Sequence, residues 1–169
     1  MPQIIKDHQL VENLWSVHEP LTEATTSINI PSNTLLSLND WNAHQEAISE
    51  REDIGLLLET SADLNTVLGS IAAIPIIAIR FNAFADGRGF SLGRLLRERY
   101  RFGGELRAIG APIRDQLSYL TRCGFNAFEL AEHYDPLEAI ASLKDFSESY
   151  QTAVDQTEPL FRRVQRGTA

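Results

Sequence analysis

From residue 34 onward, short apolar segments alternate with stretches of helical periodicity. The apolar segments predict five strands, over residues 34–38, 54–59, 76–81, 105–110 and 126–130. Strands that alternate with helices are typical of βα units around a parallel sheet. We therefore expect an α/β fold with a five-stranded, mainly parallel sheet and flanking helices. Its strand order would be either flavodoxin-like or the serial order of a half-barrel, because periodicity does not separate the two.

Capping residues and glycines mark the helices that should follow each strand. Asp135, followed by a proline and then by Glu138 at the third helical position, resembles a capping box. Gly103 and Gly104 should end the third helix and Gly124 the fourth, since glycine suits the left-handed conformation at helix ends. The predicted helices run from residue 39 or 40 to about 52, from 61, from about 91 to 100, from 112 to 124 and from 135.

The two ends of the chain depart from this alternation. Residues 3–5 and 9–15 are predicted to pair as a small β-hairpin across Asp7 and His8 and to cover an edge of the sheet. The last residues are polar and contain a proline. We therefore divide the chain into an N-terminal hairpin and extension (1–33), an α/β domain (34–150) and a polar tail (151–169).

The composition, with 43% hydrophobic and 22% charged residues in a chain of 169, is that of one globular domain. The longest apolar run, residues 71–79, is shorter than the roughly 20 residues that span a bilayer. The first residues also lack the pattern of a secretory leader, so we expect a cytoplasmic protein without a membrane segment. The single cysteine, Cys123, excludes an internal disulfide and a site built from several thiolates. We predict no metal and no cofactor.

Charge is distributed unevenly along the chain. The net charge of −8 argues against nucleic-acid binding, because phosphate backbones are held mainly by lysine and arginine. Between residues 80 and 122, however, nine arginines accompany four acidic residues. Guanidinium groups bind carboxylate, phosphate and sulfate-like oxyanions through two N–H groups at once. This third of the chain therefore predicts a surface for an oxyanion or an acidic partner.

The loop after the third predicted strand is the most unusual one. It contains Asp86, Gly87, Arg88 and Gly89, and Ser91 opens the predicted helix. Glycines permit positive φ and close approach of a ligand, a helix start offers free amides to an anion, and Arg88 supplies a fixed charge. The spacing matches neither the dinucleotide fingerprint nor the Walker motif. The alternative is a tight turn in which Asp86 and Arg88 are solvated or paired.

Arginines also recur on the third predicted helix. Arg94, Arg97 and Arg101 follow one another at spacings of three and four, opposite the apolar stripe, where like charges repel by a few tenths of a kcal/mol per pair. Either Glu98 offsets this repulsion, or an oxyanion or an acidic partner surface does.

The fourth predicted helix adds Arg114, Asp115 and Gln116 in its first turn. Arg114 is unfavourable next to the positive end of a helix dipole, so we expect it to pair with an acidic side chain or to contact an oxyanion. His133, in the loop after the last predicted strand, is a candidate general base, although surface histidines are more often inert. No nucleophile–histidine constellation can be proposed from spacing, so the catalytic residues are unknown.

Five blocks in this part of the chain resemble a bacterial family known as domain of unknown function family 934. The blocks are DGRGFS at 86–91, RLLRER at 94–99, GELRA at 104–108, RDQL at 114–117 and RCGF at 122–125. They occur in the family's order and at matching intervals. Asn126 and Ala111 depart from the family, which often has aspartate at these positions.

The resemblance implies a setting beside assimilatory sulfite reductase in proteobacteria and a role as an oxidoreductase of sulfite reduction. A sulfite reductase catalytic subunit needs a haem-type cofactor and a thiolate-ligated cluster, so a chain with one cysteine cannot be that subunit alone. We expect an accessory protein that docks on sulfite reductase or its electron donor through Arg88, Arg94, Arg97 and Arg114. The alternative is an independent enzyme or sensor that binds a small oxyanion or a phosphorylated metabolite at the same strand edge.

Overall fold

The computed structural model describes residues 2–18, 30–67, 69, 71–83, 85–110, 112, 114–131, 133–146 and 149–163. Within these residues, one sheet contains eight strands. They are β1 (Gln3–Lys6), β2 (Gln9–Glu12), β3 (Ser16–Val17), β4 (Thr34–Ser37), β5 (Ile54–Glu59), β6 (Ile76–Phe81), β7 (Glu105–Gly110) and β8 (Ala127–Phe128).

The strands from β3 to β8 are parallel and lie side by side in chain order. This serial order is that of a half-barrel, so the flavodoxin-like alternative is wrong; that order would place the first parallel strand inside the sheet. The five predicted strands correspond to β4 to β8, and β5, β6 and β7 have the predicted bounds. The sheet has three more strands than the predicted five, because the two strands of the predicted hairpin join it and β3, which was not predicted, adds another.

The N-terminal hairpin is confirmed. Gln9 pairs with Lys6 in antiparallel register, and Asp7 and His8 between them have φ angles of 48° and 65°. Two central residues with positive φ are what a tight two-residue hairpin turn requires. β1 also pairs antiparallel with β8, so the hairpin covers one edge of the parallel sheet, as predicted.

A three-residue link forces this sheet to curl. β2 and β3 lie at opposite edges of the sheet, yet only residues 13–15 separate them in the chain. Those residues can span at most about 14 Å, whereas the outer strands of a flat eight-stranded sheet would be about 34 Å apart. We call residues 13–15 the strap, because they join the two edges across the inner face of the curled sheet.

The two faces of the sheet differ in what covers them, because successive side chains of a strand point to opposite faces. One face carries the main core, including Leu56 and Ile77, and the helices pack against it. The other, which we call the inner face, carries a smaller cluster onto which Trp15 of the strap packs. That cluster consists of Leu35, Leu57, Ile76, Ala78 and Ile109.

The first and fourth predicted helices are shorter than the sequence predicted, whereas α3 has about its predicted length. The helices are α1 (Leu38–Ala43), α2 (Gln45–Ile48), α3 (Arg88–Glu98), α4 (Leu117–Arg122), α5 (Pro136–Ser142) and α6 (Leu160–Arg163). Ser37 caps α1, since its hydroxyl accepts a hydrogen bond from the Asp40 amide at 3.2 Å, so the predicted cap at residue 39 or 40 is wrong. None of the described helices has the length and apolar character needed to cross a membrane.

The helix predicted from residue 61 is replaced by two short 3-10 turns, Leu64–Thr66 and Ile71–Ala73. Asp63, not Ser61, provides the cap, and its carboxylate accepts from both the backbone and the side chain of Asn65. These local hydrogen bonds favour a short turn over a continuous helix, and a glycine follows soon afterwards. The described residues of this segment therefore form short turns and not a long helix.

The later helices follow their predicted caps more closely. Asp135 caps α5 by accepting from the Leu137 amide at 2.8 Å, and Gly124 after α4 has a φ of 97°, as expected for both positions. α3 begins three residues earlier than predicted, and Arg101, with a φ of 54°, takes the left-handed position expected of Gly103. α4 begins at Leu117 after a 3-10 turn over Arg114–Gln116. Parts of the predicted extension (19–29) and tail (164–169) lie outside the described residues.

A buried ion cluster fixes the strap to the sheet. Arg107 in β7 is 2% exposed, and its Nε and Nη2 lie 2.7 and 2.6 Å from Oε1 of Glu105. Its Nη1 donates to Oδ1 of Asn13 in the strap at 2.8 Å. Lys6 Nζ lies 2.7 Å from the other oxygen of Glu105. The guanidinium is therefore paired with a buried carboxylate, and the strap is bound to a strand in the middle of the sheet.

We expect Arg107→Ala to lower the free energy of unfolding by about 3–5 kcal/mol, because it leaves polar groups of a buried ion cluster without their partner. The matched control is Arg94→Ala, which removes an exposed i,i+4 ion pair and should cost at most about 1 kcal/mol. Urea unfolding of both variants measures the difference. Equal losses would contradict a special role for Arg107.

Candidate functional site

The loop predicted to bind an anion is closed by an internal ion pair. Arg88 Nε and Nη2 donate to the two carboxylate oxygens of Asp86 at 2.9 and 2.8 Å. Thr60, next to the end of β5, donates its hydroxyl to the same carboxylate at 2.5 Å. These contacts, first with Arg88 and then with Thr60, hold the pKa of Asp86 well below its usual range. The structure therefore contains the paired turn that the sequence left as the alternative.

The glycines of this loop serve packing. Gly87 has an ordinary φ of −71°, so the loop does not use the positive φ that a glycine permits there. Gly89 is buried, and a Cβ atom on it would lie 2.5 Å from the ring of Phe81. Gly93, one turn later, meets the ring of Phe125 in the same way. Small residues on this side of α3 let the helix approach the sheet closely.

Arg97 is half-buried, contrary to its predicted place on the exposed side of α3. Its guanidinium donates to the carbonyls of Gly124 at 2.9 Å, Phe102 at 2.6 Å and Gly104 at 2.8 Å. It also lies over the Phe102 ring, 5.2 Å from the centroid. Burial lowers the pKa of Arg97. These contacts hold α3 to the loops before β7 and after α4.

Asn126 belongs to the same network. Its side-chain oxygen accepts from the Leu106 amide at 2.8 Å and from Arg97 at 3.3 Å, and its amide group donates to the Asp7 carboxylate at 3.0 Å. An aspartate at this position would face the carboxylate of Asp7. Asn126 therefore fits a local structural role, and Ala111 lies outside the described residues.

The other predicted residues of α3 are exposed. Arg94 donates to Glu98 at 2.8 Å, so the acidic residue expected to offset its charge does so. Ser91 is exposed on the same helix, and Arg101 is exposed just beyond its end. Arg94 and Arg101 therefore lie at the surface, whereas Arg97 is half-buried.

Aromatic side chains lie on the same side of the molecule as α4 and the start of α3. The rings of Phe90 and Tyr119 lie 5.2 Å apart, and Phe90 is one helical turn from Arg94. Tyr119 also lines a shallow cavity of about 270 Å³ together with Arg122 and Phe146. We call the surface formed by Phe90, Arg94, Tyr119, Arg122 and Phe146 the helical face.

The turn at Arg114–Gln116 has a cavity of its own, of about 290 Å³. Arg114 and Asp115 line it together with His133 and Tyr134, whose rings stack with centroids 4.1 Å apart. Nε of Arg114 is buried and has no hydrogen-bond partner in the described part of the chain. Gln116 precedes α4 and does not line this cavity. The turn therefore brings the predicted arginine close to the candidate base His133.

A further cluster of polar side chains lies on the inner face, where the sequence predicted no site. Ser37, Glu59 and Arg80 stand two residues beyond Leu35, Leu57 and Ala78 in β4, β5 and β6, so they share the inner face at the carboxyl ends of adjacent strands.

We call this region the mouth. It is lined by Ser37, Glu59 and Arg80, and its cavity measures about 510 Å³. Following the two-residue alternation within each predicted strand would have revealed the cluster.

Two further kinds of site to consider are a reactive cysteine and a metal site. Cys123 is buried, and burial raises the pKa of its thiol, which disfavours the reactive thiolate. Over the described residues, no three histidine, cysteine or acidic side chains are grouped as metal ligands would be.

The chain matches a known family. The family described as "Bacterial protein of unknown function (DUF934)" matches residues 55–161. The matched region includes the helical face, the Arg114 turn and, in the mouth, Glu59 and Arg80, whereas the strap precedes it. No curated protein matches the chain.

The Asp86–Arg88 pair makes stability depend on pH. The pKa of Asp86 is lower in the folded chain than the unfolded value of about 3.9, so the ion pair stabilises the fold above that pH and loses this effect in acid. We expect Asp86→Asn to lower the urea midpoint by a constant amount from about pH 6 to 8, and by less below about pH 4. The exposed Asp115→Asn is the control. A difference that does not change with pH would argue against the pair.

Proposed function

The chain belongs to the bacterial family of unknown function DUF934, and we propose that it is an accessory protein of assimilatory sulfite reduction that docks on an acidic partner through the helical face. The exposed aromatic rings of the helical face carry this proposal. Tyr119 is 57% exposed and Phe146 is 73% exposed. Protein interfaces are enriched in tyrosine, phenylalanine and arginine, and residues of this kind dominate binding energy.

The helical face is already ordered for binding. The Phe90 ring is partly buried in the core, and its contact with Tyr119 restricts the exposed tyrosine. An aromatic side chain that is held in place loses little conformational entropy on binding. A partner would therefore meet a preformed surface.

Arg94 can exchange its present partner at small cost. Its side chain is 52% exposed and that of Glu98 is 47% exposed. Such an exposed ion pair contributes at most about 1 kcal/mol, so a carboxylate on a partner can replace Glu98. This favours a partner with an acidic surface.

The identity of the partner comes from the resemblance described above, which implies a setting beside assimilatory sulfite reductase. Sulfite reductase or its electron donor is the proposed partner, and the helical face would supply contacts, not redox groups. Arg97, which the sequence placed at this interface, would act by holding α3 in position, because its N–H groups already bind backbone carbonyls.

Co-purification from the source bacterium grown on sulfate tests this proposal. We expect the tagged wild-type chain to recover sulfite reductase or its electron donor, and the Arg94→Ala/Tyr119→Ala variant to recover at least about tenfold less. Arg99→Ala is the control, because Arg99 is an exposed arginine about 140° around the same helix from Arg94. Neither partner with the wild type, or equal recovery with the double variant, would refute the proposal.

A small-oxyanion site at the Arg114 turn is the second candidate function. The buried, unpaired Nε of Arg114 favours it, since an anion would supply the missing acceptor. Three carboxylates, those of Asp115, Asp135 and Glu138, also line the cavity and oppose an anion. This balance makes docking the better supported function.

Thermal unfolding with sulfite, sulfate and phosphate tests the second candidate. A ligand at 100 times its Kd would stabilise the folded state by about 2.7 kcal/mol, so the midpoint should rise with the wild type and not with Arg114→Gln. Arg162→Gln, at an exposed arginine of α6, controls for the loss of one charge. Unchanged midpoints with all three anions would exclude the Arg114 site for them.

A further inference from the structure

The mouth contains an ion pair whose guanidinium makes few hydrogen bonds. Glu59 and Arg80 are register partners in β5 and β6, and Arg80 Nη1 donates to Oε1 of Glu59 at 3.2 Å. Asn82 donates to the other oxygen of Glu59 at 2.7 Å. Among the described residues, Arg80 thus contacts an acceptor through one of its five N–H groups. The side chains of Arg80 and Glu59 are 34% and 46% exposed, so both reach the cavity.

Both apolar and polar side chains surround the pair. Leu57, Leu38 and Val17 line the cavity together with the ion pair. A volume of about 510 Å³ lies within the range of small-molecule sites, which combine apolar walls with a few fixed polar groups. In barrel-like folds such sites occur at the carboxyl ends of the parallel strands, which is where the mouth lies.

The charges of the pair define the class of ligand. One carboxylate and one guanidinium stand side by side, so a ligand with only one charge would meet attraction from one group and repulsion from the other. A ligand that carries an ammonium and a carboxylate group close together can bind both, each against its opposite charge. An α-amino acid carries these two groups on one carbon atom.

We propose that the mouth binds a free apolar α-amino acid, with its carboxylate on Arg80, its ammonium on Glu59 and its side chain against Leu57, Leu38 and Val17. This site is separate from the helical face and from the Arg114 turn, and it does not depend on the proposed docking function. Asn82 would keep the Glu59 carboxylate oriented while the ligand replaces the single contact between Glu59 and Arg80.

Calorimetric titration of the full chain with L-leucine and L-methionine tests the proposal. We expect at least one of them to bind, and its N-acetyl and amide derivatives to bind at least about tenfold more weakly, because each derivative removes one of the two charges. If neither amino acid binds up to the solubility limit of leucine, or if a derivative binds as well as its parent, the proposal is wrong.

Variants locate the binding. Glu59→Gln, which retains an acceptor for Asn82, and Arg80→Met should each weaken binding at least about tenfold. Glu50→Gln and Arg99→Met remove exposed charges outside the mouth and should leave the affinity unchanged. Thermal midpoints close to that of the wild type show that the mouth variants fold. If an Arg80→Met chain fails to fold, Glu59→Gln alone decides, and unchanged affinity in that variant would overturn the proposal.

Discussion

The shortness of the strap is the constraint on which the rest of the structure depends. Residues 13–15 must join strands at opposite edges of the sheet, so the sheet cannot be flat. Curling turns one face inward and leaves it little room for helices. Trp15 fills part of that space, and Asn13 accepts a hydrogen bond from Arg107. A charged residue can therefore occupy the interior, because the strap and Glu105 together satisfy it.

Curling also separates two kinds of surface. The outer face of the sheet is covered by α3, α4 and α5, and their exposed sides form the helical face and the surroundings of the Arg114 turn. The inner face ends in the mouth, where polar side chains follow the apolar positions of the strands. The proposed docking surface and the proposed amino-acid site therefore lie on different faces of the sheet, so a variant in one need not affect the other.

The sequence predicted elements better than their arrangement. Apolar runs located β5, β6 and β7 correctly, and local capping located the start of α5, because both signals lie within a few neighbouring residues. The strand order depends on contacts such as that between Asn13 and Arg107, which periodicity does not encode. Arg97 was predicted to be exposed for a similar reason. The apolar stripe of α3 does not indicate that carbonyl groups of other loops accept hydrogen bonds from its side chain. Glu59 and Arg80 were missed because strand interiors were treated as core alone.

The strap also bears on how the chain folds. The parallel pairs from β4 to β8 join strands that are neighbours in sequence, whereas Asn13 must find Arg107 across 94 residues. A contact between residues far apart in sequence requires the chain between them to close into a loop, which costs conformational entropy. Such contacts therefore slow folding. The N-terminal hairpin, synthesised first, has no edge to pair with until β8 exists. Pairing of β1 with β8 therefore waits until β8 has been synthesised, and until then the hairpin has an open strand edge in the newly made chain.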